Sequence, residues 1–340
     1  MKTLFLSLAL ALGAPAQAAA PGSFFDGAGA PPAAPDASAL RNRRFAPPAP
    51  PPDLAQAAAR WANAVQARKV RSVAPSQPVR LAVIGDAEPG RFPWQRIFAP
   101  KDGQERILRL AHAASPDAIV QLGDFVSKGT VPNYRKHVAL LDSAVTLPLL
   151  SVVGNHDRSQ PNGPADKTLY GAVFGPGDFF TDAGDWRLIL LDSADRRVGA
   201  GQLAWLEGAL AGGKRNLIFT HVPPAFLAGK LVSPKLSGLD QEKKVEAFEG
   251  FFTEGSRAFG ELAARYRVER VYLGHIHALA TARHLGVPYV LTGSGGSPHY
   301  PLPPGFPQEK ATHFIRVELD RAGVRDTIHT LDGRTVALDP

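Results

Sequence analysis

The sequence predicts an α/β domain with largely buried, often parallel strands, and three observations predict it. Runs of strand length alternate with helical patterns along most of the chain. The strand runs are apolar at nearly every position, as strands covered on both faces require. Polar clusters, most of them introduced by glycine, follow several runs, where an open α/β sheet gathers its ligand-binding loops. With 340 residues and 44% hydrophobic content, the chain can bury a large core. It contains no cysteine, so disulfides, thiolate metal sites and a cysteine nucleophile are excluded, and any metal must be held by oxygen and nitrogen.

In chain order, Lys2, the apolar stretch Leu4–Leu12, the breakers Gly13 and Pro15 and the triplet Ala16-Gln17-Ala18 have the form of an export signal. Residues 1–20 are expected to be a signal peptide and the mature protein periplasmic or secreted; the apolar stretch is short for a retained anchor. Residues 21–52 are rich in Pro, Ala and Gly and read as a semi-rigid linker. Asp53 reads as an N-cap. Leu54, Ala58, Trp61 and Val65 recur at helical spacing, so an amphipathic helix is expected over 54–70, within a basic lead-in spanning 53–78.

The net charge of +7 is concentrated in this region. Arg41, Arg43, Arg44, Arg60, Arg68, Lys69, Arg71 and Arg80 face only Asp53 within residues 41–80. The remainder is close to neutral, so a nucleic-acid-binding core is not indicated. Two readings of the basic segment stand: a helix packed on the flank of the domain, or weak association with an anionic envelope surface.

The domain is expected over 79–340. Strands are expected at Val79–Ile84, Ala118–Leu122, Leu149–Val153, Trp186–Leu191, Leu217–Phe219, Arg270–Leu273 and Val287–Thr292. Helices are expected at Glu105–Ala114, Asn133–Ala144, Gln202–Leu210 and Ser256–Tyr266. His313–Leu319 and Val324–Thr330, joined by Asp320-Arg321-Ala322-Gly323, read as an antiparallel hairpin. Residues 158–180, 225–255 and 297–310 are the expected walls of a substrate pocket, the last two being long, irregular and rich in Pro, Gly and aromatics.

Chemistry concentrates after the strands. Gly85-Asp86-Ala87-Glu88, Gly123-Asp124, Gly154-Asn155-His156-Asp157, His221 and Gly274-His275-Ile276-His277 each follow one. Carboxylates, an amide and imidazoles converging on one sheet edge suit a two-metal hydrolytic site, in which paired divalent ions clamp a phosphoryl group and activate water. Asp124 is the natural bridge between the ions. His275 and His277, two apart, can point at different ions, and His156 is placed to give a proton to a leaving group.

These motifs resemble the calcineurin-like metallophosphoesterases, which include purple acid phosphatases and cyclic-nucleotide phosphodiesterases. The family pattern D-x-H, G-D, G-N-H-D/E, H, G-H-x-H is matched in order from Asp86 to His277. The resemblance implies a four-layer αββα sandwich with two mixed sheets. It also implies Asp86, Asp124 and His277 at one metal and Asp124, Asn155, His221 and His275 at the other, with His156 serving the leaving-group oxygen. One position departs: Glu88 stands where the family commonly has His. Two divalent ions are expected, Mn, Fe or Zn with Mg possible; direct ligation by Glu88 would tilt the preference from zinc toward manganese, iron or magnesium, and otherwise Glu88 supports the site from behind. Ser127 stands where purple acid phosphatases carry a Tyr, so no iron–tyrosinate colour is expected.

Asp157 either orients His156 or caps its loop. Arg158, His299 and Tyr300 are candidates for substrate contact, and the remaining histidines read as structural or surface residues. The expected function is an exported phosphoesterase acting on a phosphate-ester substrate, with monoesters favoured over cyclic-nucleotide or envelope diesters. A non-catalytic envelope module with a weakened metal pair is the rival.

Overall fold

The computed structural model describes residues 49–70, 78–90, 97, 99–162, 165–233, 243–244, 250–298 and 311–340. The expected signal peptide and all but the end of the linker lie outside them. The elements run α1 (Pro52–Trp61), α2 (Asn63–Val70), β1 (Val79–Ile84), α3 (Gly103–Ala113), β2 (Ala118–Gln121), α4 (Val131–Ala144), β3 (Leu149–Ser151) and α5 (Thr168–Phe174). They continue with β4 (Phe179–Ala183), β5 (Trp186–Leu191), α6 (Ala200–Leu210), β6 (Arg215–Thr220), β7 (Val232–Ser233), β8 (Lys243–Lys244) and α7 (Ser256–Arg265). The chain closes with β9 (Arg270–Leu273), β10 (Leu279–His284), β11 (Val287–Thr292), β12 (His313–Asp320), β13 (Gly323–Thr330) and β14 (Thr335–Leu338).

The strands form two mixed sheets, a six-stranded one in the order β14-β13-β12-β1-β2-β3 and an eight-stranded one in the order β4-β5-β6-β9-β11-β10-β7-β8. β1, β2 and β3 are parallel neighbours, as are β5, β6, β9 and β11. The alternation of side chains along each strand builds the layers. Leu81 and Val83 of β1 meet Leu217 and Phe219 of β6 in the core between the sheets. Ala82 and Ile84 point the other way, into a core with Ile107, Leu108, Tyr134 and Leu141 of α3 and α4. Ile218 of β6 joins Leu206 and Phe259 of α6 and α7 on the far face. The result is the four-layer αββα sandwich, its central strands apolar on both faces because both are covered.

The N-terminal helix departs from expectation in two ways. It breaks at Ala62, whose ψ of 134° leaves the helical region, so α1 and α2 turn different faces to the domain. Asp53 is not the cap: the helix starts at Pro52, with proline at a position that needs no N–H donor. Asp53 lies in the first turn and pairs with Arg135 at 2.7 Å. Leu54, Ala57 and Trp61 are buried, and Trp61 Nε1 donates to Asp142, which also pairs with Arg60. The helix is thus packed on the flank. Beyond the break, Asn63 donates to the Ser151 carbonyl at 2.9 Å and accepts from its N–H at 2.8 Å. Its amide pairs with edge strand β3 much as a further strand would.

Candidate metal centre

Each expected donor stands just past a strand end. Asp86 and Glu88 follow β1, Asp124 follows β2, Asn155 and His156 follow β3, His221 follows β6, and His275 and His277 follow β9. The turns are tight. Gly123 has φ +92°, and a Cβ there would lie 2.5 Å from the Gly154 nitrogen, so the β2 and β3 loops meet only because this position is glycine. Asp124 and His275 themselves take left-handed backbone angles, φ 48° and 72°. Such conformations cost on the order of 1–3 kcal/mol and persist where surroundings enforce them.

At Asp124, Asp157 does the enforcing. Its carboxylate accepts the N–H groups of Asp124 at 2.9 Å, Phe125 at 3.0 Å, Val126 at 3.3 Å and Gly154 at 2.7 Å. Of the two roles open to it, the structure shows the loop cap: His156 is instead held by Nδ1 donating to the Ser127 carbonyl at 3.0 Å. Arg158, expected at substrate, is buried and turned inward. It donates to the carbonyls of Asn155 and Pro161 and pairs with Asp195 at 2.5 Å, because its donors are needed to close the β3 loop. His299 and Tyr300 lie outside the described residues.

The donor atoms converge. Asn155 Oδ1 lies 2.9 Å from His221 Nε2 and 2.8 Å from His275 Nδ1, and Asp124 Oδ2 lies 3.2 Å from His221 Nε2. Asp124, His221 and His275 offer ligand atoms all within 4.8 Å of one another. Beside them, Asp86 Oδ2 is 3.4 Å from His277 Nε2, and Asp86 Oδ1 accepts the His275 N–H at 2.8 Å. His221 and His277 each fix their other ring nitrogen on a backbone carbonyl, of Leu122 at 2.8 Å and Pro298 at 2.6 Å. That arrangement orients an imidazole for a metal.

Burial opposes ionisation of Asp124, but the His221 and His156 imidazoles outweigh it and hold the carboxyl well below its usual range. Burial likewise opposes a charge on His221, and Asp124 and Asp86 overcome it to raise its pKa to about 9. Glu88 is buried against a 2.5 Å contact with the Gly90 N–H. Burial raises its carboxyl, while His156 and His277 pull the other way. Asp86 Oδ2 is buried with no hydrogen-bond partner among the described residues. A buried oxygen left without a donor, beside carboxylate, amide and imidazole atoms, fits divalent cations that take oxygen and nitrogen ligands.

The family model described as calcineurin-like phosphoesterase matches residues 79–279, more than half of the chain. The chain belongs to this family. The solved purple acid phosphatase PPD1 from yellow lupin (Lupinus luteus) seeds is similar over 77% of this chain and 53% of its own, with 16% identity and a TM-score of 0.56. The chain described here therefore spans about half the length of that plant protein. GAP50, described as the anchor in the inner membrane complex of Plasmodium, is similar over 77% of this chain and 89% of its own, with 13% identity and a TM-score of 0.50. At these identities the likeness is one of fold. No curated protein matches the chain.

Sequence reasoning missed several residues that build this candidate site. Tyr134 donates to the Asp157 carbonyl at 2.7 Å, bracing the β3 loop from α4. Lys167 pairs with Asp192 at 2.5 Å and with Asp195 at 2.9 Å, completing the charge cluster around Arg158. Neither has a local signal, since their partners lie more than 20 residues away.

Proposed function

We propose that the chain is an exported phosphoesterase that acts on phosphate monoesters. The convergence of Asp124, Asn155, His221 and His275, with Asp86 and His277 alongside, carries this reading. Bound in this cage, divalent ions (Mn, Fe or Zn, with Mg possible) supply Lewis acidity and lower the pKa of water. Asp124, Asn155, His221 and His275 would hold one, and Asp86, Asp124 and His277 the other. His156, only half-buried, commits Nδ1–H to Ser127 and so leaves Nε2 to exchange a proton with a leaving-group oxygen. Asp157 and Arg158 keep the β2 and β3 loops in register, so the donors need little rearrangement. The N-terminal pattern Lys2, Leu4–Leu12 and Ala16-Gln17-Ala18 supports export, and the basic segment beyond it supports weak attraction to an anionic envelope.

A non-catalytic reading is favoured by one observation: Glu88 replaces the family's common His and turns its carboxylate to the Gly90 N–H. One experiment separates the readings. Metal analysis of the purified chain is paired with turnover of chromogenic monoester and diester substrates. About two ions per chain with monoester turnover supports the proposal. Diester preference moves the substrate class, and one ion or none without turnover leaves the non-catalytic module. Mass spectrometry of the protein from the periplasm or medium tests export; an N-terminus at Met1 would overturn it.

A further inference from the structure

At the end of β9 opposite the donors lies a cavity of about 620 Å³. Arg270 opens that strand, whereas His275 and His277 follow its last residue, so the two sites sit at opposite ends of one element. The cavity is walled by the turn after α7, the β10–β11 turn and the β12–β13 turn. Arg267, Arg270, Arg283 and Arg325 line it, and the only acid lining it is Glu269.

The acids nearby are already committed. Glu269 pairs with Arg215 at 2.8 Å, and Arg325 pairs with Asp320 at 2.6 Å and Glu318 at 3.4 Å. Arg270 is 8% exposed; it spends one amino group on Asp326, and its buried Nε has no hydrogen-bond partner among the described residues. Arg267 and Arg283 are exposed and make no ion pair among the described residues. The charges of Arg267 and Arg283 are thus left without an ion pair among the described residues, and they reach a concave space from two separate segments, where low-dielectric walls focus the field. Guanidinium groups bind phosphate oxygens in a planar, two-pronged geometry. The volume is in the range of small-molecule sites, about 300–1,000 Å³, and exceeds what one phosphate fills.

We infer that this cavity is a second anion site, separate from the metal centre, that takes a small molecule carrying two or more phosphate groups. The probe is methylenediphosphonate, a diphosphate mimic that cannot be hydrolysed, titrated calorimetrically into the full metal-loaded chain. Binding at the arginine cavity is the component lost in the double variant R267E/R283E. Both residues are exposed, so packing is untouched. That component should weaken at least ~10-fold in R267E/R283E, while turnover of a chromogenic ester is unchanged. The control R68E/R106E changes net charge equally at exposed positions outside the cavity and should bind as the parent does. Equal binding by R267E/R283E and the parent overturns the inference, as does equal weakening by the control. Binding of long-chain polyphosphate with none of the diphosphonate also overturns a small-molecule site. None of the binding outcomes depends on whether the metal centre hydrolyses esters.

Discussion

The two sheets contribute different chemistry to the metal centre. The six-stranded sheet supplies oxygen, from Asp86, Glu88, Asp124 and Asn155, and the eight-stranded sheet supplies nitrogen, from His221, His275 and His277. Alone, the first would hold buried carboxylates with too few cations, and the second would hold imidazoles with no charge partner. Packing the sheets brings the two sets together, with Asp124 3.2 Å from His221 and Asp86 3.4 Å from His277. The far end is stitched in the same sense: Arg270 and Tyr272 of β9 both reach Asp326 of β13, the tyrosine at 2.7 Å. The site is therefore a property of the interface between sheets, and substitutions on either side should be read as tests of that interface.

The largest effect is expected from Asp124→Asn. This residue is the oxygen group that faces His221 across the sheets while accepting the His156 N–H at 2.8 Å. Neutralising it removes the charge that opposes the histidines and the one oxygen suited to both ions. Bound metal should be lost and turnover should fall by at least ~10³. Metal content and initial rates check this, and a rate within ten-fold of the parent would remove the cage from the chemistry. His156→Ala probes the opposite case, a side chain beside the donors but outside the set. Turnover should drop ~10²–10⁴-fold with metal content unchanged. Loss of metal in that variant would make His156 a ligand instead.

The contrast between sheet centres and sheet edges explains what the sequence revealed. β1, β2, β3, β5, β6, β9 and β11 carry apolar runs because most are covered on both faces and flanked by other strands, and each was legible. β4 and β14 are edge strands with broken patterns, Phe-Phe-Thr-Asp-Ala and Thr-Val-Ala-Leu, and β10 alternates small and polar residues; none was expected. Donor positions were legible because strand ends concentrate them. The roles of Asp157 and Arg158 were not, because proximity in sequence to Asn155 and His156 says nothing of which way a side chain points. Asn63 was invisible for a simpler reason: its partner is 88 residues away.

Acid should loosen the six-stranded side of the molecule. His137 of α4 is buried against Phe125, ring centroids 4.3 Å apart, and burial lowers its pKa to about 3. His313 of β12 is buried with Nε2 2.9 Å from Thr292 Oγ1 of β11, and burial lowers its pKa to about 4. Both are neutral when folded but take a proton near pH 6.5 when unfolded. Below that value the unfolded state binds more protons, so stability is complete above pH 6.5 and declines toward pH 4 to 3. At pH 5 each should cost roughly 2 kcal/mol. Denaturant midpoints at pH 7 and pH 5 measure this for the parent and His137→Phe. The variant should lose less stability over that interval; an equal loss would exclude His137 as a source.

The smallest effect isolates the edge. Asn63→Ala removes a buried side chain outside the donor set and leaves the Ser151 N–H and carbonyl of β3 without their amide partner. Tyr170 still donates to that carbonyl at 2.6 Å, so the N–H is the group left exposed to the cost. The expected loss is about 1–3 kcal/mol of unfolding free energy, read from denaturant titration, the range for one orphaned buried donor. Because β3 leads directly into Gly154-Asn155-His156, a strand loosened at its edge would misplace the one donor, Asn155, that touches both His221 and His275. Metal affinity should then fall together with stability. If stability falls while metal affinity holds, Asp157, Tyr134 and Arg158 keep the loop in place without Asn63, and the N-terminal helices serve the fold and not the site.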